Sequence, residues 1–259
     1  FDTARAYSDS EEKLGAAFEG MREKVFISTK TMAKDVEGFW KDLHTSLRLL
    51  PTDYIDIYWI HNPADVERWT PFLAPLVKSG KVRRVGVSNH NLAQIKRAQE
   101  ILAQGGVKLT AVQNHYSLLY RSSERAGILD YCREQGMDFF AYMVLEQGAL
   151  SGKYDTAHPL PQGSQRAETY NPLLPQLEKL TAAMAQMGEK YSVSVSQIAV
   201  AWAIAKGAIP LIGVTKPRHV TEAAAAAGIT LTADEVVQLE QLAADAGVDT
   251  RGSWEAPMV

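Results

Sequence analysis

"FDTARAYSDSEEKLGAAF" (1–18) puts an aspartate at position 2, a tyrosine at position 7 and an amphipathic stretch directly behind them. Leu14, Ala17, Phe18 and Met21 recur at i, i+3, i+4 and i+7, the apolar face of a helix. Ser8 and Glu11 have the spacing of a capping box at its start. Phe1 and Asp2 read as the last residues of a strand. The stretch is thus the second half of a βα unit, with polar side chains at the junction.

The same rhythm continues along the chain. Short β-branched or aromatic runs appear at "VFISTK" (25–30), "IDIYWIH" (55–61), "RRVGVSN" (83–89), "AVQNHYS" (111–117), "DFFAYMVL" (138–145) and "IPLIGV" (209–214). Most are nearly continuously apolar, as expected of parallel strands buried on both faces. Helical patterns fill 35–49, 65–79, 91–104, 123–135, 174–190 and 195–206. "KPRHVTEAAAAAG" (216–228) predicts a helix closed by a glycine, and Thr232 with Glu235 predicts a capping box on a last helix. Strands alternating with helices mean βα units and a parallel sheet. Six strands plus the end of a seventh fit either an open doubly wound sheet or a (β/α)8 TIM barrel. No composition break marks a boundary, so 1–259 reads as a single domain. The longest irregular stretch, 152–172, reads as a lid or a disordered tip.

Composition narrows the function. A formal charge of -3 gives no electrostatic reason to expect nucleic acid or an anionic membrane. No apolar run reaches the roughly 18 residues of a spanning helix. The lone Cys132 can form no internal disulfide, which points to a reducing, cytoplasmic compartment. The six histidines (44, 61, 90, 115, 158, 219) never pair at metal-ligand spacing, so no metal site is expected. "GALSGKY" (148–154) has three residues between its glycines and a tyrosine after the lysine, which breaks the phosphate-loop pattern. No G-x-G-x-x-G occurs, against a Rossmann dehydrogenase.

Four polar residues stand where strands hand over to loops: Asp2, Tyr7, Lys30 and His61. Each alone has an ordinary reading as a cap, a packed ring, a solvated strand end or a satisfied histidine. Together they define a chemistry. A tyrosine hydroxyl with its usual pKa of about 10 exchanges protons poorly at neutral pH, and a nearby ammonium lowers that value. A carboxylate would hold the ammonium, and a histidine would orient a carbonyl oxygen. That set suits carbonyl reduction, with hydride arriving from elsewhere and the tyrosine giving the proton.

On these residues the sequence resembles the aldo-keto reductases. "FDTARAY" resembles their D-T-A-x-x-Y element, "STK" their lysine strand and "DYIDIYWIH" their histidine strand. The resemblance implies a catalytic tetrad of Asp2, Tyr7, Lys30 and His61, a (β/α)8 barrel and a small-molecule carbonyl substrate. "GVSNH" and "VQNHYSLLYR" imply Ser88, Asn89 and Gln113 on the nicotinamide carboxamide. "AYMVLEQGALSGKY" implies Tyr142 stacked on the nicotinamide, followed by a phosphate loop with Gly148, Leu150, Gly152 and Lys153. "IPLIGVTKPRHVTEA" implies Gly213, Thr215, Lys216, Arg218, His219 and Glu222 at the adenosine end of an NADP(H) site, with NAD(H) left open. Ser8 stands where a glycine commonly follows the tyrosine, Met143-Val144 where a small residue and proline are frequent, and His219 where Arg or Gln is usual. The resemblance also implies a βα unit upstream of Phe1, and the activity of the chain by itself is left open, as is its oligomeric state. Two rival readings are a cofactor-binding sensor subunit with little turnover and a non-redox barrel acting on a sugar phosphate. His90 and His115 read as lining a substrate mouth or as surface residues, and Trp254 as closing over the pocket or packing outside.

Overall fold

The computed structural model describes residues 1–258. They form two compact units. The first holds Phe1–Asn114, Ala126–Asp138 and the residues from Ala256, and the second holds His115–Arg125 and Phe139–Glu255.

In chain order the first unit begins with α1 (Ser10–Ala17), β1 (Ser28–Thr31), α2 (Val36–Leu49) and β2 (Ile55–Ile60). It continues with α3 (Val66–Trp69), α4 (Leu73–Lys78), β3 (Val82–Ser88), α5 (Leu92–Gln104) and β4 (Leu109–His115), the last residue of which belongs to the second unit. The strands β1 to β4 pair in parallel in chain order, Lys30 opposite Trp59 and Ser88 opposite Gln113. The "FD" read as the end of a further strand makes an isolated parallel bridge, Asp2 to Ser28.

The apolar run 55–60 is buried at every residue, as a parallel strand covered on both faces should be. Trp59 lies across β3, where a Cβ on Gly86 would come within 2.3 Å of its ring, so only glycine leaves room. β1 is the exception in kind: Ser28, Thr29, Lys30 and Thr31 are all polar and all buried. Each is matched by a carboxylate. Ser28 and Lys30 donate to Asp2, Thr29 to Glu11 and Thr31 to Asp42, so alternate residues address different partners.

Local breakers divide two of the expected helices. Pro71 and Pro75 fall inside 65–79, and the segment forms α3, a 3-10 turn and α4 in place of one helix. The run 123–135 splits at Gly127 (φ 77°) into α6 (Ser122–Arg125) of the second unit and α7 (Ile128–Gln135) of the first.

The second unit continues with β5 (Asp138–Tyr142), whose first residue belongs to the first unit, α8 (Gln165–Tyr170), α9 (Leu174–Tyr191), α10 (Val195–Ala205), β6 (Ile209–Pro210), α11 (Pro217–Ala226) and α12 (Ala233–Ala246). β5 pairs in parallel with β6, a strand of two residues after which Leu211 N still donates to Ala141 O at 2.8 Å. Thr232 and Glu235 form the expected capping box on α12. The segment 152–172 is neither bare lid nor tip: Ser164 caps α8, and Leu160 and Tyr170 are buried.

Candidate active site

Tyr7 sits in a tight turn between the Asp2 bridge and α1. Its N–H donates to Ala4 O at 3.0 Å, and Arg5 N donates to Lys30 O at 3.0 Å, which ties the turn to β1. Ser8 has φ 48°, the left-handed conformation for which glycine is the low-cost residue, so the serine bears some strain there. That turn also removes the expected Ser8–Glu11 capping box. α1 starts at Ser10 with Asp9 at its N-cap and no side-chain cap, while Glu11 turns inward and is buried. The Glu11 carboxylate accepts from Thr29 Oγ1 at 2.6 Å, from Ser46 Oγ at 2.6 Å and from Arg5. It fastens the Tyr7 turn to β1 and α2 at once. Sequence reading missed this role because the spacing already had a local explanation.

The four expected catalytic residues lie in the first unit, and Lys30 and Asp2 are in direct contact. Lys30 Nζ donates to Asp2 and to Thr3 O at 2.9 Å, and the lysine is 1% exposed. Burial pushes its ammonium pKa down against the pull of Asp2. Asp2 Oδ1 accepts from Ser28 Oγ at 2.6 Å and from Gln113 Nε2 at 3.1 Å. The Lys30 ammonium lies 5.1 Å from the Tyr7 ring centre, and the His61 ring meets Tyr7 edge-on at 5.6 Å. Tyr7 itself is 45% exposed, more open than the half-buried Asp2 and His61 or the buried Lys30.

One electrostatic expectation is corrected. The Tyr7 pKa is pushed up to about 12, first by burial and then by the negative charge of Asp2. The lowering by Lys30 does not win, because Asp2 holds that ammonium and offsets its field at the phenol. The hydroxyl therefore keeps its proton through the neutral range. His61 is pushed down to about 4, by burial and then by Lys30, and its imidazole is neutral at pH 7. Its Nδ1 is buried without a hydrogen-bond partner, which adds to the cost of charging the ring.

Ser88, Asn89 and Gln113 are buried at the ends of β3 and β4. Asn89 has φ 62°, a conformation asparagine tolerates better than most residues, and its N–H donates to Gln113 O at 3.0 Å. Asn89 Nδ2 donates to His61 O at 3.0 Å and Asn62 Oδ1 at 3.1 Å, so it also braces the His61 loop. Gln113 has a second task that the sequence did not reveal, its bond to Asp2.

The other expected cofactor residues lie in the second unit. Tyr142 ends β5, and Trp254 Nε1 donates to its hydroxyl at 3.3 Å. Gly148 (φ 108°) and Gly152 (φ 70°) follow in the loop, where a Cβ on Gly152 would strike Val195 at 2.6 Å. Leu150 is fully buried, so only its backbone could meet a phosphate, while Lys153 is exposed. Gly213 and Thr215 precede α11, Lys216 is its N-cap and Arg218 lies in its exposed first turn. Thr215 N donates to His219 Nδ1 at 3.3 Å. Glu222, 3.9 Å from Arg218, lines an open groove of about 520 Å³ with Gly188, Ser192, Ser194 and Gln197.

His90 and His115 are not surface residues. Both are fully buried, His90 with Nδ1 on Ser88 O at 2.8 Å and a pKa pushed by burial down to about 4. Cys132 is buried and unreactive, its thiol pushed up to about 12 by burial and by Asp138. Among the described residues no helix is long and apolar enough to cross a membrane, and no group of three His, Cys, Asp or Glu is arranged to hold a metal ion.

This geometry has clear relatives. Among solved structures, a glycerol dehydrogenase from Gluconobacter oxydans superposes with a TM-score of 0.79 at 27% identity, covering 94% of this chain and 80% of that one. An aldo-keto reductase from Klebsiella pneumoniae, solved in complex with NADPH, gives a TM-score of 0.75 at 28% identity over 93% of this chain and 78% of its own. Such proteins are (β/α)8 barrels, and the six parallel strands with the Asp2 bridge are part of that fold. Residues 1–244 match the Aldo/keto reductase family, and the chain belongs to it. Its relatives include the chloroplastic pyridoxal reductase of Arabidopsis thaliana, 32% identical over 94% of this chain and 72% of that protein. The L-glyceraldehyde 3-phosphate reductase of Escherichia coli strain K12 is 27% identical over 99% of this chain and 82% of its own length.

Proposed function

We propose that the chain reduces the carbonyl group of a small aldehyde or ketone with NADPH, Tyr7 giving the proton. The observation that carries this is the setting of Tyr7: an exposed phenol with the buried Lys30–Asp2 pair on one side and the neutral His61 on the other. Burial and Asp2 keep the phenol protonated, which is the state a general acid must start from. As the carbonyl oxygen takes on negative charge, Tyr7 passes its proton to it, with the Asp2-held Lys30 ammonium 5.1 Å from the ring centre. The His61 ring, neutral and edge-on to Tyr7, would orient the oxygen.

The residues present suit the cofactor. Ser88, Asn89 and Gln113 would hold the carboxamide end, Tyr142 would face the ring, and Gly148, Gly152 and Lys153 would meet the phosphates. Gly213, Thr215, Lys216, Arg218, His219 and Glu222 would meet the adenosine end. Lys216 and Arg218 at the start of α11 favour an added phosphate, because a helix N-terminus attracts anions and both cations stand beside it. Bound NADPH supplies the hydride.

A pyridoxal reductase and an L-glyceraldehyde 3-phosphate reductase among the relatives make aldehydes the first test substrates. The decisive experiment follows NADPH consumption with a reactive aldehyde, in the native chain and in Tyr7→Phe. Native turnover, lost in the variant with cofactor affinity kept, is the expected result. Cofactor binding without native turnover would replace the reductase with a sensor subunit.

A further inference from the structure

The second unit holds a buried charged cluster that the proposed chemistry does not use. His115 lies with Nδ1 2.8 Å from Glu255 Oε1 and Nε2 2.9 Å from Glu146 Oε1, all three side chains fully enclosed. An imidazole with a carboxylate oxygen at each nitrogen is satisfied at both ends when it carries both protons.

The two carboxylates belong to different segments. Glu146 is in the loop after β5, four residues beyond Tyr142, in a left-handed conformation (φ 46°) followed by Gln147 at φ 52°. Such backbone persists only where its surroundings over-determine it. Here Glu146 accepts from Ser117, from Thr250 Oγ1 at 3.0 Å and from Tyr170 Oη at 2.7 Å, besides facing His115. Glu255 closes an irregular strap, Thr250–Glu255, in which Gly252 N donates to Glu255 Oε1 at 3.3 Å. A Cβ on Gly252 would lie 2.5 Å from the Trp254 ring, so the strap is folded tightly on itself. It presents Trp254 to the Tyr142 hydroxyl.

We propose that His115 is a positioning residue: as an imidazolium shared by Glu146 and Glu255 it clips the strap to the loop after β5, seating Trp254 against Tyr142, and the strap releases when the imidazolium loses its proton. The effect on turnover rests on reading Tyr142 as the cofactor's stacking partner; the clip itself does not.

The other groups facing His115 support a cation. Its ring stacks on Tyr120 at 4.2 Å and on Tyr142 at 5.6 Å. Tyr170 faces it through Glu146, and the strap's Arg251 is felt at Tyr120. Burial alone would push the His115 pKa down, but the hydrogen bonds and charges of Glu146 and Glu255 outweigh it and raise the value to about 9. A raised histidine value means the clip's charge-dependent stabilisation is complete below about 6.5 and fades as pH rises through about 9.

Arg251 is exposed in the strap and is followed by Gly252, which gives a direct readout. Trypsin cleavage after Arg251 in the folded chain, followed by mass and normalised to a free peptide of the strap's sequence, measures how often the strap opens. Between pH 7 and pH 9.5 the native rate should rise roughly ten-fold, a discounted share of what so large a pKa displacement permits. His115→Gln should be cleaved at the faster rate already at pH 7, with no further pH dependence, and Glu255→Gln should behave alike. A normalised native rate that stays flat over this range overturns the proposal. So does His115→Gln with native-like circular dichroism cleaved as slowly as native at pH 7. Should His115→Gln fail to fold, the native profile and Glu255→Gln decide. None of these arms uses the cofactor, so a chain without reductase activity can still uphold the clip. In an active chain, His115→Gln should raise the KM for NADPH more than it lowers kcat, and the native KM should climb across the same pH range.

Discussion

His61 and His115 stand at the ends of parallel strands in different units, and their surroundings drive them in opposite directions. His61 has a buried Nδ1 with no partner and lies near a lysine, and its pKa falls to about 4. His115 has a carboxylate at each nitrogen, and its pKa rises to about 9. Burial disfavours the cation in both. The difference is whether the protein has used up the ring's hydrogen-bonding capacity. A ring matched at both nitrogens holds structure together as a cation, whereas the half-buried His61 stays neutral beside the open Tyr7.

The comparison can be broken at several places, in order of expected effect. Tyr7→Phe should cost about 10²- to 10⁴-fold in turnover if the open cluster carries the chemistry, with cofactor affinity measured by fluorescence titration unchanged. Lys30→Met leaves Asp2 without its cation, and should remove activity and lower stability by about 3–5 kcal/mol in urea unfolding. Glu11→Ala strips Arg5, Thr29 and Ser46 of one shared acceptor and should cost about 2–3 kcal/mol, with turnover falling because the Tyr7 turn loosens. Wild-type stability with native turnover in Glu11→Ala would show the turn to be held by its backbone alone.

The smallest effect separates the two histidines most directly. A depressed value at His61 means the folded state binds fewer protons than the unfolded one, so stability is lost as pH falls from about 6.5 toward 4. The raised value at His115 has the reverse consequence, stability lost between about 6.5 and 9. Urea midpoints of His61→Gln should lack the acid-side slope, worth about 1 kcal/mol after allowance for solvent screening, and those of His115→Gln should lack the alkaline one. Equal slopes in both variants would erase the distinction.

What was legible in the sequence follows from the range of each signal. Ile55–Ile60 reads as a buried strand because its own side chains say so, and the Asp2, Tyr7, Lys30 and His61 positions stand out because each sits where a strand ends. Tertiary roles did not show. Glu11 had a ready local reading as a capping partner, and only the left-handed turn at Ser8 sends it inward. The His115 partners lie 31 and 140 residues away, a separation at which spacing carries no information. Pro71 and Pro75 interrupt 65–79 from within, and a helical reading of the whole span passes over both stops.

The all-polar β1 has a consequence for how the strand finds its place. Strand register is usually set by which residues are apolar, since a slip of one residue turns every side chain to the other face. β1 has no apolar side chain to misplace. A slip would instead carry Lys30 away from Asp2, and Thr29 and Thr31 away from Glu11 and Asp42, leaving three carboxylates without their donors. The alignment of this strand during folding is thus proofread by hydrogen bonds, and two of the residues that check it, Asp2 and Lys30, are the ones proposed to do the chemistry. Substitutions that tune the reactivity of that pair will also alter how reliably β1 docks in frame.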